Sequence, residues 1–185
     1  ARLIYVSTDY VFDGTATVRY TEQDVPNPLN AYGMSKWLGE QAVLASGADA
    51  LVVRTAWLYG HHGKNFVKSI MSAARREPGL RVVSDQRGCP TFTEDLASAL
   101  MALIAKNVRG VIHVTNRGDC TWHEFAEAIV REMGLAVPVA PISTEEAGRV
   151  AKRPRFSVLS QDRLMSLCIM MPEWRRSLAQ FVTAA

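Results

Sequence analysis

The feature that most constrains this chain is the alternation of short β-branched runs with longer stretches of helical period. Arg2-Leu3-Ile4-Tyr5-Val6-Ser7 and Ala50-Leu51-Val52-Val53-Arg54-Thr55-Ala56 are nearly continuous in apolar residues and too short for buried helices, so each reads as a strand covered on both faces. Ala31 to Ser46 instead spaces Met34, Trp37, Leu38, Ala42 and Leu44 close to helical period, with Gly47 placed to end a helix in the left-handed conformation. Further on, helices are predicted from about Lys64 to Arg76, from a Thr93 cap to Lys106, and from a Thr121-Trp122-His123-Glu124 capping box to Met133. Short strands are predicted at Arg81 to Ser84 and Val111 to Thr115. Ser143-Thr144-Glu145-Glu146 reads as a second capping box, and Ser160 and Pro172 as openings of two short helices in the tail. Strands and helices in this order predict βαβ units and an α/β fold with a mainly parallel sheet.

Such a sheet places ligands at the carboxyl ends of its strands. Those ends are Ser7-Thr8-Asp9-Tyr10 and Thr55-Ala56-Trp57-Leu58-Tyr59-Gly60, rich in hydroxyls and aromatic rings that suit a polar, ring-shaped ligand, although turn and rim positions have the same composition. Thr8 to Asn30, with Asp13-Gly14, Pro26 and Pro28, is a long polar excursion, and long loops in compact domains are usually functional.

Composition excludes several classes. A length of 185 residues, 48% of them hydrophobic, allows one sizeable core. A net charge of +3 is too small to argue for nucleic acid. Cys89, Cys120 and Cys168 have no CxxC spacing, which predicts neither a disulfide framework nor a zinc site and points to a reducing, cytoplasmic setting. His61, His62, His113 and His123 lack metal-ligand spacing, so no metal is expected. No apolar stretch approaches the roughly 18 residues that span a bilayer, and no signal-peptide pattern is present, so no membrane partner is expected. Of the basic clusters only Lys152-Arg153-Pro154-Arg155 carries weight as a phosphate holder, and a solvated basic turn explains it about as well.

The chemistry centres on Tyr32-Gly33-Met34-Ser35-Lys36, which sets a phenol and an ammonium four residues apart on one helix face. A free tyrosine is a poor acid at neutral pH, and a neighbouring ammonium favours its phenolate. Tyr32 is therefore a candidate general acid.

Three blocks in order carry a specific resemblance: Ser7-Thr8-Asp9-Tyr10-Val11-Phe12-Asp13-Gly14, Asn27-Pro28-Leu29-Asn30-Ala31-Tyr32-Gly33-Met34-Ser35-Lys36, and Arg54-Thr55-Ala56-Trp57-Leu58-Tyr59-Gly60. With Asp85-Gln86-Arg87-Gly88-Cys89-Pro90-Thr91, Thr121-Trp122-His123 and Arg153-Pro154-Arg155-Phe156-Ser157, the chain resembles the extended short-chain dehydrogenase/reductases, most closely the dTDP-4-dehydrorhamnose reductases. The resemblance implies a Rossmann-like sheet, incomplete at its amino-terminal side, with a small mixed carboxyl-terminal region that binds substrate. It divides the chain into residues 1–60, the end of the Rossmann-like catalytic domain, and 61–185, the remaining sheet and helix elements with the sugar-nucleotide region, the two interleaved.

It also implies reduction of dTDP-4-dehydro-L-rhamnose to dTDP-L-rhamnose with NADP (or NAD) as cofactor. Tyr32 matches the proton donor, Lys36 the residue that tunes it and holds the nicotinamide ribose, and Thr8 the hydroxyl on the reacting oxygen. Thr55 joins Tyr32 and Lys36 at the cofactor, and Asp9, Tyr10, Trp57 and Arg153 fall to the sugar nucleotide. The pattern leaves room for a homodimer. Two alternatives share the pattern: a non-catalytic regulatory subunit like that of methionine adenosyltransferase, and a ketoreductase or epimerase for another nucleotide sugar. The presence of Thr8, Tyr32, Lys36 and Trp57 together favours the reductase.

No GxGxxG or GxxGxxG occurs, so the glycine-rich turn that cradles a dinucleotide diphosphate is missing and the choice of NAD or NADP is unreadable. The expectation is a carboxyl-terminal portion of a reductase whose first βαβ units lie outside this sequence.

Overall fold

A computed structural model describes residues 1–184. The elements run β1 (Leu3–Thr8), a 3-10 turn (Asp9–Val11), α1 (Ala31–Ala45), β2 (Ala50–Thr55), β3 (Leu58–Tyr59), α2 (Phe66–Ala74), β4 (Leu80–Val83) and β5 (Arg87–Gly88). Then come β6 (Thr91–Phe92), α3 (Thr93–Ala105), β7 (Gly110–His113), β8 (Cys120–Thr121), α4 (Trp122–Glu132), β9 (Val139–Ile142), α5 (Asp162–Ser166) and α6 (Trp174–Thr183). The main sheet has the order β1-β2-β7, all parallel, with Thr8 opposite Thr55 and Arg54 opposite His113. β3 with β6 and β4 with β9 are further parallel pairs, while β5 with β8 is antiparallel. The expected α/β fold with a mainly parallel sheet is therefore present.

Every residue of the central strand β2 is buried, as the apolar run Ala50 to Val53 predicts, and Arg54 and Thr55 at its end are buried with it. Among the described residues β1 is paired on one side only, and Leu3 and Val6 on it are exposed. The largest two clusters of buried residues divide the apolar core. One packs Leu51, Val53 and Ile112 of the main sheet against Leu96 and Leu103 of α3. The other joins Tyr59, Val67, Phe92, Phe125, Ile129 and Phe181 beneath α2, α4 and α6. Each fully buried side chain of this size contributes roughly 1.5–3 kcal/mol of transfer free energy.

Local expectations differ from the structure at a few places, each with a physical reason. Thr93 is the first residue of α3 rather than its cap; Phe92 stands at the cap position and its N–H is held by the Asn116 side chain at 2.7 Å. Ser143 and Glu146 do exchange the two hydrogen bonds of a capping box, at 3.1 and 2.8 Å, but only a turn follows. There Asp85 fixes Thr144 by its N–H and its hydroxyl. The strand β9 was hidden by Pro141, which an edge strand tolerates because one side of it needs no ladder bonds. Thr121 caps α4 with the full reciprocal box, as its sequence predicts.

Candidate active site

The site is assembled where β1 ends and α1 begins. Asn30 caps α1: its Oδ1 accepts from the Gly33 N–H at 2.8 Å, while its Nδ2 donates to the Lys152 carbonyl at 2.8 Å and ties the helix start to the carboxyl-terminal segment. Gly33 lets the helix press on the 3-10 turn, since a Cβ there would run into the Tyr10 carbonyl oxygen. This close approach sets the Tyr10 ring edge-on to Tyr32, with centroids 6.0 Å apart and planes at 81°. Tyr32 itself is 56% exposed, so its phenol is open to a ligand. One turn along the same face, the Lys36 ammonium lies 4.2 Å from the centre of the Tyr5 ring, and among the described residues no carboxylate pairs with it.

Thr8 caps the 3-10 turn. Its Oγ1 accepts from the Tyr10 N–H at 3.2 Å and its hydroxyl donates to Asp9 Oδ1 at 3.1 Å. The other Asp9 oxygen accepts from the Ser157 hydroxyl at 2.6 Å. Asp9 is only 2% exposed, and burial pushes its carboxyl up to about 7 against the lowering effect of the two hydroxyls and of the Asp9 and Tyr10 backbone N–H groups. Burial, and Asp9 beside it, likewise push the Tyr10 phenol up to about 12, while Arg153 and Arg149 pull the other way. Asp9 thus sits beneath the surface, bound to protein hydroxyls, whereas Tyr10 and Tyr32 face one another above it.

A buried ion pair underlies this surface. Glu40, two turns beyond Tyr32 on α1 and fully buried, accepts from Arg54 Nη2 at 2.7 Å and Nε at 3.0 Å, and also from the Ser7 hydroxyl. Arg54 and Ser7 immediately precede Thr55 and Thr8 in β2 and β1, so one carboxylate joins the ends of both strands to α1. Thr55 is buried, and among the described residues its hydroxyl has no hydrogen-bond partner.

Trp57 has its backbone in the left-handed region at φ +47° and stacks on Trp122. Trp122 meets Phe66 at 4.5 Å between centroids, and the two rings form one wall of a cleft of about 680 Å3. Arg149, Arg153, Arg81 and Gln86 also line it. Arg153 therefore lines the cleft, Trp57 adjoins it only through its stack on Trp122, and Thr8, Asp9, Tyr10, Tyr32 and Lys36 stand at the strand-end side.

Glu40, Arg149 and the Trp122 stack are not marked out by the sequence, and Ser157 stands there only as the end of the Arg153 to Ser157 block of the resemblance. Ser157 meets Asp9 across 148 residues, for which no local signal exists. Glu40 could have been found, because it extends the Tyr32 and Lys36 face by one more turn.

The residues present fit one end of a dinucleotide: the open Tyr32 phenol and, among the described residues, the Lys36 ammonium with no carboxylate partner and the buried Thr55 hydroxyl with no hydrogen-bond partner suit a ribose and nicotinamide ring. Among the described residues no group of three or more His, Cys, Asp or Glu is arranged to hold a metal ion, and no helix is long and apolar enough to cross a membrane.

Comparison with known proteins places the whole chain in one family. Residues 1–185 match the family described as the RmlD substrate binding domain. The chain is 42% identical over 182 residues to the spore coat polysaccharide biosynthesis protein SpsK of Bacillus subtilis, covering 98% of this chain and 64% of that protein. It is 44% identical over 193 residues to the dTDP-4-dehydrorhamnose reductase of Mycobacterium tuberculosis, covering 100% and 63%. A dTDP-4-keto-6-deoxy-D-glucose reductase of Streptomyces niveus is 44% identical over 164 residues, covering 87% and 57%. Among solved structures, the dTDP-4-dehydrorhamnose reductase of Bacillus anthracis in complex with NADP superposes with a TM-score of 0.97 at 40% identity, over 100% of this chain and 66% of that one. The chain thus spans less than two thirds of the length of these relatives. Over its whole length, it belongs to the RmlD substrate-binding domain family.

Proposed function

We propose that this chain supplies the proton donor and the sugar-nucleotide site of an NAD(P)H-dependent reductase that converts dTDP-4-dehydro-L-rhamnose to dTDP-L-rhamnose. The observation that carries the reading is the meeting of Thr8, Tyr10 and Tyr32 at the end of β1, with Tyr32 open and Lys36 one turn away. The activities of these relatives and the NADP held by the Bacillus anthracis enzyme support it.

In this reading residues 1–60 close the catalytic sheet, and 61–185 add β7 and α3 to it while building the sugar-nucleotide region. Tyr32, Lys36 and Thr55 hold the nicotinamide end of the cofactor. A bound reduced nicotinamide supplies the hydride. Tyr32 delivers the proton to the C4 oxygen, Lys36 steadies the charge left on the phenol, and the Thr8 hydroxyl holds that oxygen in place. Trp57, through its stack on Trp122, borders the hexose. Arg153 with Arg149 faces the diphosphate, and the Trp122 and Phe66 wall takes the flat pyrimidine. Free thiols at Cys89, Cys120 and Cys168 suit a cytoplasmic location, and a homodimer is compatible with the same reading.

The test uses the protein as its gene encodes it, with NADPH and, in parallel, dTDP-4-keto-6-deoxy-L-mannose and its D-gluco counterpart. Loss of reduced-nicotinamide absorbance is expected with the first sugar, and preference for the second reassigns the substrate. Tyr32→Phe is expected to lower kcat by about 10²–10⁴-fold, as removal of a general acid does. Unchanged turnover in that variant refutes the assigned acid.

A further inference from the structure

Thr8 has a single hydroxyl proton, and the structure commits it to Asp9. That bond is unremarkable for a solvated aspartate, but Asp9 is 2% exposed and both its oxygens are occupied by hydroxyls, Thr8 on one and Ser157 on the other. Among the described residues no Lys, Arg or His forms an ion pair with it. The titratable groups facing it are the phenol of Tyr10, next in the chain, and the buried thiol of Cys89. Tyr10 in turn faces Tyr32 on α1 and the guanidiniums of Arg149 and Arg153. A carboxylate buried without a cation is costly, and the ordinary resolution is to keep the proton.

The protonation state decides which way the Thr8 hydroxyl points. With Asp9 ionised, the Thr8 proton lies on Asp9 Oδ1 and a lone pair faces the ligand, where it repels a ketone oxygen. With Asp9 neutral, its O–H donates to Thr8 Oγ1, the second Thr8 lone pair keeps the Tyr10 N–H, and the Thr8 proton turns outward. Ser157 donates to Asp9 Oδ2 in both states.

We infer that Asp9 is a positioning residue that works as a neutral acid, aiming the Thr8 hydroxyl at the substrate carbonyl, and that Ser157 sets the balance between its two states. The inference rests on the reductase reading, deepening the role of Thr8 and moving Asp9 from sugar contact to support. Burial that holds the Asp9 carboxyl at about 7 places the changeover inside the working range.

The test is the pH profile of kcat for ketosugar reduction by the whole protein. Wild type is expected to lose turnover above about pH 7 in a one-proton step, with KM changing less than kcat. Ser157→Ala removes a bond that favours the ionised form, so its high-pH limb is expected to move upward by about half a unit or more. Asp9→Asn, neutral at every pH and still a donor to Thr8, is expected to turn over more slowly but without that limb. A limb that stays in place in Ser157→Ala, or persists in Asp9→Asn, overturns the inference. If wild type reduces neither ketosugar, the reductase reading alone fails, and carbon-13 NMR of labelled Asp9 decides the rest. A midpoint near neutrality that rises in Ser157→Ala keeps the proton on Asp9, and an ordinary carboxylate midpoint removes it; this measurement also serves if Asp9→Asn does not fold.

Discussion

The indole of Trp57 lies flat on that of Trp122, with ring centroids 3.5 Å apart and planes 8° from parallel. The stack is held against a backbone preference, since left-handed geometry at a residue with a Cβ costs roughly 1–2 kcal/mol. Gly88 leaves the space that permits it: a Cβ at Gly88 would stand 2.6 Å from Trp57 Cε2. Gly88→Ala is therefore expected to unseat Trp57, to abolish the exciton couplet of the stacked indoles in circular dichroism, and to raise KM for the sugar nucleotide about tenfold. A variant with the couplet and KM unchanged would show that Trp57 is not held from this side.

The Glu40 and Arg54 pair makes a separate claim about stability. Breaking a buried pair leaves one uncompensated charge, so Glu40→Ala is expected to lose about 3–5 kcal/mol in denaturant unfolding. Removing both charges is a milder change, and Glu40→Met with Arg54→Met is expected to recover most of that loss. Because the pair joins α1 to β1 and β2, the double variant should still lose kcat even where it unfolds normally. Additive losses in the two single variants would mean the charges do not act as a pair.

Much of this was legible in the sequence because it is local. The β2 pattern, the Thr121 box and the helical face of Tyr32 and Lys36 each depend on residues a few positions apart, and the structure has all three. What could not be read depends on distant chain segments meeting. Asp9 resembles a ligand contact until Ser157 arrives from the tail to bury it. Trp57 resembles an open wall until Trp122 covers one face. Arg149 has no pattern of its own, and gains meaning only from the cleft it shares with Arg153.

The two capping boxes of the chain separate hydrogen bonding from helix stability. Thr121 accepts from the Glu124 N–H at 3.1 Å at the head of an eleven-residue helix, and Thr121→Ala is expected to cost about 1 kcal/mol. Ser143 makes the same bond to Glu146 at 3.1 Å with only a turn to support, in an exposed segment. Ser143→Ala is expected to stay within about 0.5 kcal/mol of wild type, as surface changes do. Equal losses in thermal unfolding would contradict the distinction.

Two aspartates four residues apart should give the protein opposite responses to pH. The N–H of Thr15, with the hydroxyls of Thr15 and Tyr20 and the Asn27 amide, holds Asp13 down to about 2. A folded value below the unfolded one means that Asp13 stabilises the fold above about pH 4 and loses that contribution as pH falls toward 2. Asp9 is the reverse. Its folded value of about 7 exceeds the unfolded value near 4, so the folded state binds the proton more tightly and stability declines as pH rises from about 4 to 7. A difference of that size corresponds to an upper limit of roughly 4 kcal/mol. Asp9→Asn is thus expected to flatten the decline between pH 4 and 7 and to be more stable than wild type at pH 8, while Asp13→Asn flattens only the acid side. Urea unfolding across this range decides the matter: if Asp9→Asn has the same slope as wild type between pH 4 and 7, the carboxyl is ionised in the folded protein at a normal pH, and its burial is compensated by the two hydroxyls and the neighbouring backbone N–H groups.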